Sequence, residues 1–228
     1  MKKEEENKEL PTMEEVRKEM LDYLEDKYDE EFEMYNIEYA GWGNRNRENM
    51  LVYPKDREND DRVFTLNRIY EDDGSIRYED GYVGYVMEPI FVEKYEGIVK
   101  KYFPNSMVFA SLLGPHVYPE ELTIDSGYDE FKKYVDEKAR LGAHIFAGIG
   151  DEDKAERLVK QMEEELKAEF EVGRFSFYGY TMEDYEKEIL GKDKKYLIAK
   201  RKEFSIIEKE SSWGDLNHDY IYEKEKNK

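Results

Sequence analysis

The stretch Tyr78–Phe103, YEDGYVGYVMEPIFVEKYEGIVKKYF, decides the fold. It leaves a strand-like hairpin and becomes a long helix with one apolar side. Tyr82, Tyr85, Val86, Pro89, Ile90, Lys94, Ile98 and Tyr102 recur at steps of three and four, and Phe91, Tyr95 and Val99 widen the stripe. That spacing belongs to one face of a 3.6-residue helix. Pro89 has no amide hydrogen to donate, so a kink or restart is expected there. This segment is the expected hinge between a helix and meander on its N-terminal side and alternating strands and helices on its C-terminal side.

On the N-terminal side, residues 1–10 are a charged tail. Thr12 and Glu15 form a capping box that opens a helix, with Val16, Met20, Tyr23, Leu24 and Tyr28 on its buried face. Phe32 to Tyr39 alternates aromatic and polar residues at period two, as a strand does. Gly41 to Asn44 reads as a turn, Met50 to Tyr53 as a short strand ended by Pro54, and Val63 to Tyr70 as the clearest strand. Asp73-Gly74 marks the hairpin that returns through Ile76 to Tyr78.

On the C-terminal side, Phe103-Pro104-Asn105 is the expected boundary. Beyond it come a strand at Met107 to Leu113, a loop at Gly114 to Gly127, a helix at Tyr128 to Leu141 stopped by Gly142, and a strand at Ala143 to Ile149. A strong amphipathic helix comes next at Asp151 to Phe170, then a strand at Val172 to Tyr180, a short helix capped by Thr181 and stopped by Gly191, and a strand or hairpin at Tyr196 to Ile207. The expectation is an α+β fold with helices packed on antiparallel or mixed sheets. It places a helix–meander–helix portion at 11–103, an alternating portion at 104–207 and a polar tail at 208–228.

The 228 residues carry a formal net charge of −20, which disfavours nucleic acid and anionic membrane surfaces and suits a basic protein partner. With no cysteine there are no disulfides, thiolate nucleophiles or cysteine-bound metals. No run is long enough to span a membrane, and no apolar leader comes after Met1. Any membrane attachment would come through a leader or anchor outside these residues.

Leu24-Glu25-Asp26-Lys27-Tyr28-Asp29-Glu30-Glu31-Phe32-Glu33, a strand ending in Pro54, Val63-Phe64, and then Tyr78-Glu79-Asp80-Gly81-Tyr82 resemble the soluble part of uncharacterised lipoproteins and exported proteins of Gram-positive bacteria. Asp29 stands where that pattern commonly has glycine, and Gly81 where it has asparagine. The resemblance covers the first half, and its residues form the fold rather than a catalytic motif. It implies a cystatin-like helix-on-sheet portion and an extracytoplasmic, cell-surface setting.

No catalytic or cofactor motif stands out. His116 lies in a loop with Glu120, Glu121 and Asp125 without fixed ligand spacing. His144 sits in an apolar strand and is expected to be a buried, hydrogen-bonded core residue. His218 lies between acids near the C-terminus. Gly148-Ile149-Gly150 lacks a third glycine, and Asp151 to Asp153 would repel phosphate, so a helix cap is expected there. The acidic runs Asp56–Asp61 and Glu71–Asp73 lack calcium-loop spacing. The candidate binding residues are aromatic: Trp42, Tyr35, Tyr39 and Tyr53 around a glycine-rich turn, and Tyr178 and Tyr180 at a strand end. The leading expectation is a non-catalytic binding protein, one form of which is an immunity or accessory protein that engages a basic partner. The alternatives are a carboxylate-based hydrolase, with or without a metal, and a cytoplasmic structural or interaction protein.

Overall fold

The computed structural model describes residues 11–40, 46–57, 62–113, 118, 121–138 and 140–214. Among them are six α-helices and eight strands in two four-stranded sheets, an α+β fold. The described residues fall into two compact units. The first runs to Val86 and takes in Tyr118 and Glu121; the second holds Met87 to Leu113 and Leu122 to Gly214. The division falls inside a helix, where the sequence suggests Phe103-Pro104.

The first unit is a helix on an antiparallel meander. Helix α1 (Met13–Tyr28) begins with the Thr12–Glu15 capping box. Strands β1 (Phe32–Glu38), β2 (Arg47–Pro54), β3 (Phe64–Tyr70) and β4 (Ile76–Asp80) come next in spatial order, each antiparallel to its neighbour. Val16, Met20 and Leu24 of α1 are buried, as are Phe32, Met50, Val52, Phe64 and Leu66 of the sheet. Tyr82 completes this core, its ring 4.7 Å from Tyr28 and 5.0 Å from Phe32. Removal of these side chains from water is the main force holding helix to sheet.

Asp80 ends β4 and ties the unit together. Its buried carboxylate accepts hydrogen bonds from Tyr28 Oη at 2.7 Å, Lys27 Nζ at 2.9 Å, Tyr23 Oη at 3.1 Å and the Tyr82 amide at 3.1 Å. Burial works against the Lys27 charge, but hydrogen bonds to Asp80 and Tyr23 outweigh it and raise the lysine above its ordinary pKa. Burial, with the Asp80 charge beside it, likewise raises the Tyr28 phenol. A second polar knot sits under α1. There buried Arg68 bonds Tyr70 Oη at 2.6 Å and Glu19 at 2.8 Å, with Glu48 at 3.3 Å.

Helix α2 (Tyr82–Tyr102) runs unbroken through Pro89, so the expected restart is absent. Proline leaves the carbonyl four residues back without its helical donor. Here that carbonyl belongs to Tyr85, and Arg62 Nη1 donates to it at 3.0 Å.

The second unit is built on a mixed sheet. Strand β5 (Ser106–Leu113) pairs antiparallel with β6 (Arg140–Ile149), β6 pairs parallel with β7 (Gly173–Thr181), and β7 pairs antiparallel with β8 (Ile207–Trp213). Helix α3 (Tyr128–Lys138) connects β5 to β6. Helix α4 (Glu152–Glu169), capped by Asp151, makes the crossover that a parallel pair requires. Ala155, Val159, Met162 and Leu166 of α4 are buried, as are Ile145, Phe175 and Phe177 of the sheet. The Phe103 ring lies 4.8 Å from that of Phe177.

After β7, Thr181 caps the single turn α5 (Met182–Asp184). This runs into a π-helical turn, Tyr185–Ile189, and then α6 (Lys194–Lys200). Three expectations are corrected here. Gly142 lies inside β6 and does not stop a helix. Residues 196–207 hold most of α6 and a turn, because Asp193 caps a helix there and Leu197 is buried beneath it. The tail from 208 contains nearly all of β8, a polar edge strand whose solvent-facing residues hide its periodicity.

Candidate functional site

Register places the side chains of the mixed sheet in rows. Phe109, His144, Ser176 and Glu210 lie side by side across β5, β6, β7 and β8. Two residues along each strand, on the same face, lie Ser111, Gly142, Arg174 and Ser212. In the other direction the same face carries Met107, Phe146, Tyr178 and Glu208.

The face is covered only in part. Phe146, Tyr178, Tyr180, Tyr185, Ile189 and Leu197 form a closed cluster under α5, the π-turn and α6. Where that cover ends, a cleft of about 670 Å³ opens over the two polar rows, with Lys194 and Ile198 of α6 as its wall. Gly142 contributes no side chain, which leaves depth between Ser111 and Arg174. The size is that of a small-ligand site, and the lining is mainly polar, with Phe109 and Ile198 among its few large apolar members.

The charges in this cleft are unspent. Exposed charges elsewhere are partly paired and partly not: Lys167 sits 2.6 Å from Glu163, while Arg157 and Lys160 on the same helix enter no ion pair among the described residues. On β8 itself Glu208 accepts from Ser205 at 2.8 Å and sits 3.4 Å from Lys202. Arg174, Lys194 and Glu210 enter no ion pair or hydrogen bond among the described residues, although Arg174 and Glu210 are diagonal neighbours on adjacent strands.

His144 is half-buried at the centre of the floor, and its Nδ1 is buried without a hydrogen-bond partner among the described residues. This corrects the expectation of a hydrogen-bonded core histidine. Burial first, and then the positive charges of Lys194, Arg201 and Arg174, lower its pKa, with Glu210 opposing.

The candidate aromatics do not form one site. Tyr178 and Tyr180 are 2% and 0% exposed and cannot serve as surface anchors. Tyr180 Oη donates to the Arg201 carbonyl at 2.8 Å. In the first unit Tyr35 is 70% exposed on the edge strand β1. Tyr53 donates to Glu33 at 2.9 Å, and Tyr39 to the Met13 carbonyl at 3.2 Å. Trp42, His116 and His218 lie outside the described residues.

No protein-family model and no curated protein matches the chain. Among solved structures it is similar to a DUF5037 family protein from Ruminococcus gnavus ATCC 29149, at 14% identity and a TM-score of 0.42, over 76% of this chain and 78% of that one. A likeness this distant carries no argument about the site.

Among the described residues no three His, Asp or Glu side chains converge as a metal site requires, and no helix is long and apolar enough to cross a membrane. The Asp151 cap accepts the Lys154 amide at 2.7 Å, which accounts for the acids after Gly150. Sequence reasoning alone does not single out Arg174, Ser176, Lys194 or Glu210. The available signal is the alternation Arg174-Phe175-Ser176-Phe177, a polar face on a strand that proves to be central.

Proposed function

We propose that this protein acts by binding rather than by chemistry, and that the cleft on its mixed sheet takes a small charged ligand. The observation that carries this is the convergence of Arg174, Lys194 and Glu210, all without partners among the described residues, on one serine-lined hollow. Charged groups left unpaired at a concave site are complementary to a charged ligand.

The order of residues along the floor speaks against nucleophilic catalysis. A serine nucleophile needs a histidine beside it and a carboxylate on the far side of that histidine, to orient the ring. Here Ser176 stands between His144 and Glu210, and Phe109 occupies the far side of His144.

Thermal-shift measurements on the full chain against acetate, alkylamines, free amino acids and inorganic phosphate test the proposal. At least one class should raise the melting temperature of the wild type and fail to do so in Arg174→Glu. No response from any class, or an equal response in the variant, would remove the cleft as the binding site.

A second surface is favoured by one specific observation. Tyr35 projects from the edge strand β1 between the exposed carboxylates Glu33 and Glu38, and edge strands invite pairing with another chain. On a chain of net charge −20, its complement is a basic protein partner. Capture of such a partner in low salt should weaken with added salt and with Tyr35→Ala. Capture indifferent to both would set this surface aside. The extracytoplasmic, Gram-positive setting implied by the resemblance belongs to the same proposal. The gene sequence upstream of Met1 tests it, since a lipid-attachment signal is expected there.

A further inference from the structure

The unpaired charges of the cleft are of both signs, and their spacing says more than that the ligand is charged. Arg174 pairs in register with Ser212, and Ser176 with Glu210, so Arg174 and Glu210 are diagonal neighbours on one face. Such neighbours are roughly 7–8 Å apart, with their Cβ atoms somewhat closer. Both side chains are exposed, yet no ion pair joins them. A compact group with one negative and one positive end would bridge them.

Resting on the reading of the cleft as the binding site, we infer that the ligand is a free α-amino acid with a large apolar side chain. Its carboxylate lies on Arg174 and Lys194, its ammonium group on Glu210, and its side chain along Phe109 and Ile198. The planar guanidinium of Arg174 offers two parallel N–H donors, the geometry a carboxylate accepts best. Lys194 adds a second positive charge from the α6 wall. Glu208, the next acid along β8 on this face, is already held by Ser205 and Lys202, so Glu210 is the carboxylate left to receive an ammonium. Ser111, Ser176 and Ser212 supply neutral hydroxyls around the head group. Phe109, on strand β5, and Ile198, one turn from Lys194 on α6, are large apolar members of the lining. The cleft exceeds what the head group alone needs, which leaves room for a leucine- or phenylalanine-sized side chain.

Isothermal titration calorimetry on the full wild-type chain tests this with three probes: L-leucine, N-acetyl-L-leucine, which lacks the ammonium, and L-leucine amide, which lacks the carboxylate. Leucine should bind at least tenfold tighter than either analogue. Glu210→Gln should remove the advantage of leucine over the N-acetyl form, and Arg174→Gln its advantage over the amide. Both sites are exposed, so both variants should keep the wild-type circular dichroism spectrum, and the wild-type comparison stands without them. If N-acetyl-leucine binds as well as leucine, the cleft is an anion site and the zwitterion inference falls alone. If none of the three binds while inorganic phosphate or acetate shifts the melting temperature, the amino-acid inference falls and the cleft remains. If nothing binds, both fall.

Discussion

Asp80→Asn should destabilise the first unit by about 2 kcal/mol, and Asp80→Ala by about 3–5 kcal/mol. The carboxylate is almost wholly buried and receives four donors. Oδ1 takes Tyr28 and the Tyr82 amide, and Oδ2 takes Tyr23 and Lys27. An asparagine oxygen can keep the first pair. Its NH₂ then faces Tyr23, whose hydroxyl can turn to accept, and Lys27, which cannot. The loss is therefore one charge-assisted hydrogen bond, worth about 1.5–3 kcal/mol, part of it recovered because Lys27 still reaches water. Alanine also strands the buried Tyr82 amide at the start of α2, which adds the larger cost. Urea denaturation monitored by circular dichroism measures both. Glu79→Gln is the control: Glu79 pairs with exposed Arg77 at the surface and should stay within about 1 kcal/mol of wild type. An Asp80→Asn variant within about 0.5 kcal/mol of wild type, or an alanine variant no worse than asparagine, would refute the role assigned to this carboxylate.

Asp29 closes α1 with φ at 54°, a left-handed conformation that glycine adopts without strain. Asp29→Gly should be neutral to stabilising, by up to about 1 kcal/mol in urea melts; a clear loss would contradict this. Gly173 lies under the Trp213 ring, which donates to the Phe170 carbonyl at 2.8 Å, and a Cβ there would run into that ring. Gly173→Ala should cost about 1–3 kcal/mol and red-shift the Trp213 fluorescence; unchanged emission would contradict it. His144 should titrate below the ordinary histidine value of about 6.5, and Lys194→Ala should raise it, as read by NMR. Because its folded pKa is the lower one, the unfolded chain takes up this proton first. Stability is therefore intact above about pH 6.5 and falls as pH drops from there towards the folded value.

The first unit is legible in the sequence because its signals are local. The Thr12–Glu15 box and the Asp73-Gly74 turn each depend on residues within a turn of one another. The stripe expected in α2 is displaced: Pro89, Ile90 and Lys94 are exposed, and Met87, Phe91, Tyr95 and Val99 form the buried face. The loss of a donor at Pro89 is equally legible, but its rescue by Arg62 is not, since a contact 23 residues apart has no periodic signature. The cleft is hidden for the same reason. His144, Ser176 and Glu210 come from three strands, and only strand order makes them neighbours. His144 reads as a core residue because its flanks, Ala143 and Ile145, are apolar, yet those flanks point to the opposite face. Tyr178 and Tyr180 mislead in the converse way: they look like surface anchors and are covered by α5 and the turn after it. Strand β8 leaves no mark in the sequence because an edge strand facing water has no need of apolar alternation.

The most direct measurement of the central claim is the NMR titration of the His144 imidazole with L-leucine, the signal assigned by comparison with His144→Gln. His144 lines the same cleft as the three charges, one strand from Arg174 and two from Glu210, so occupancy must change its surroundings. Saturable shifts of its resonances, absent in Arg174→Glu, are the predicted result. An imidazole signal that stays fixed to saturating leucine, acetate and phosphate alike would contradict the assignment of this cleft as a binding site.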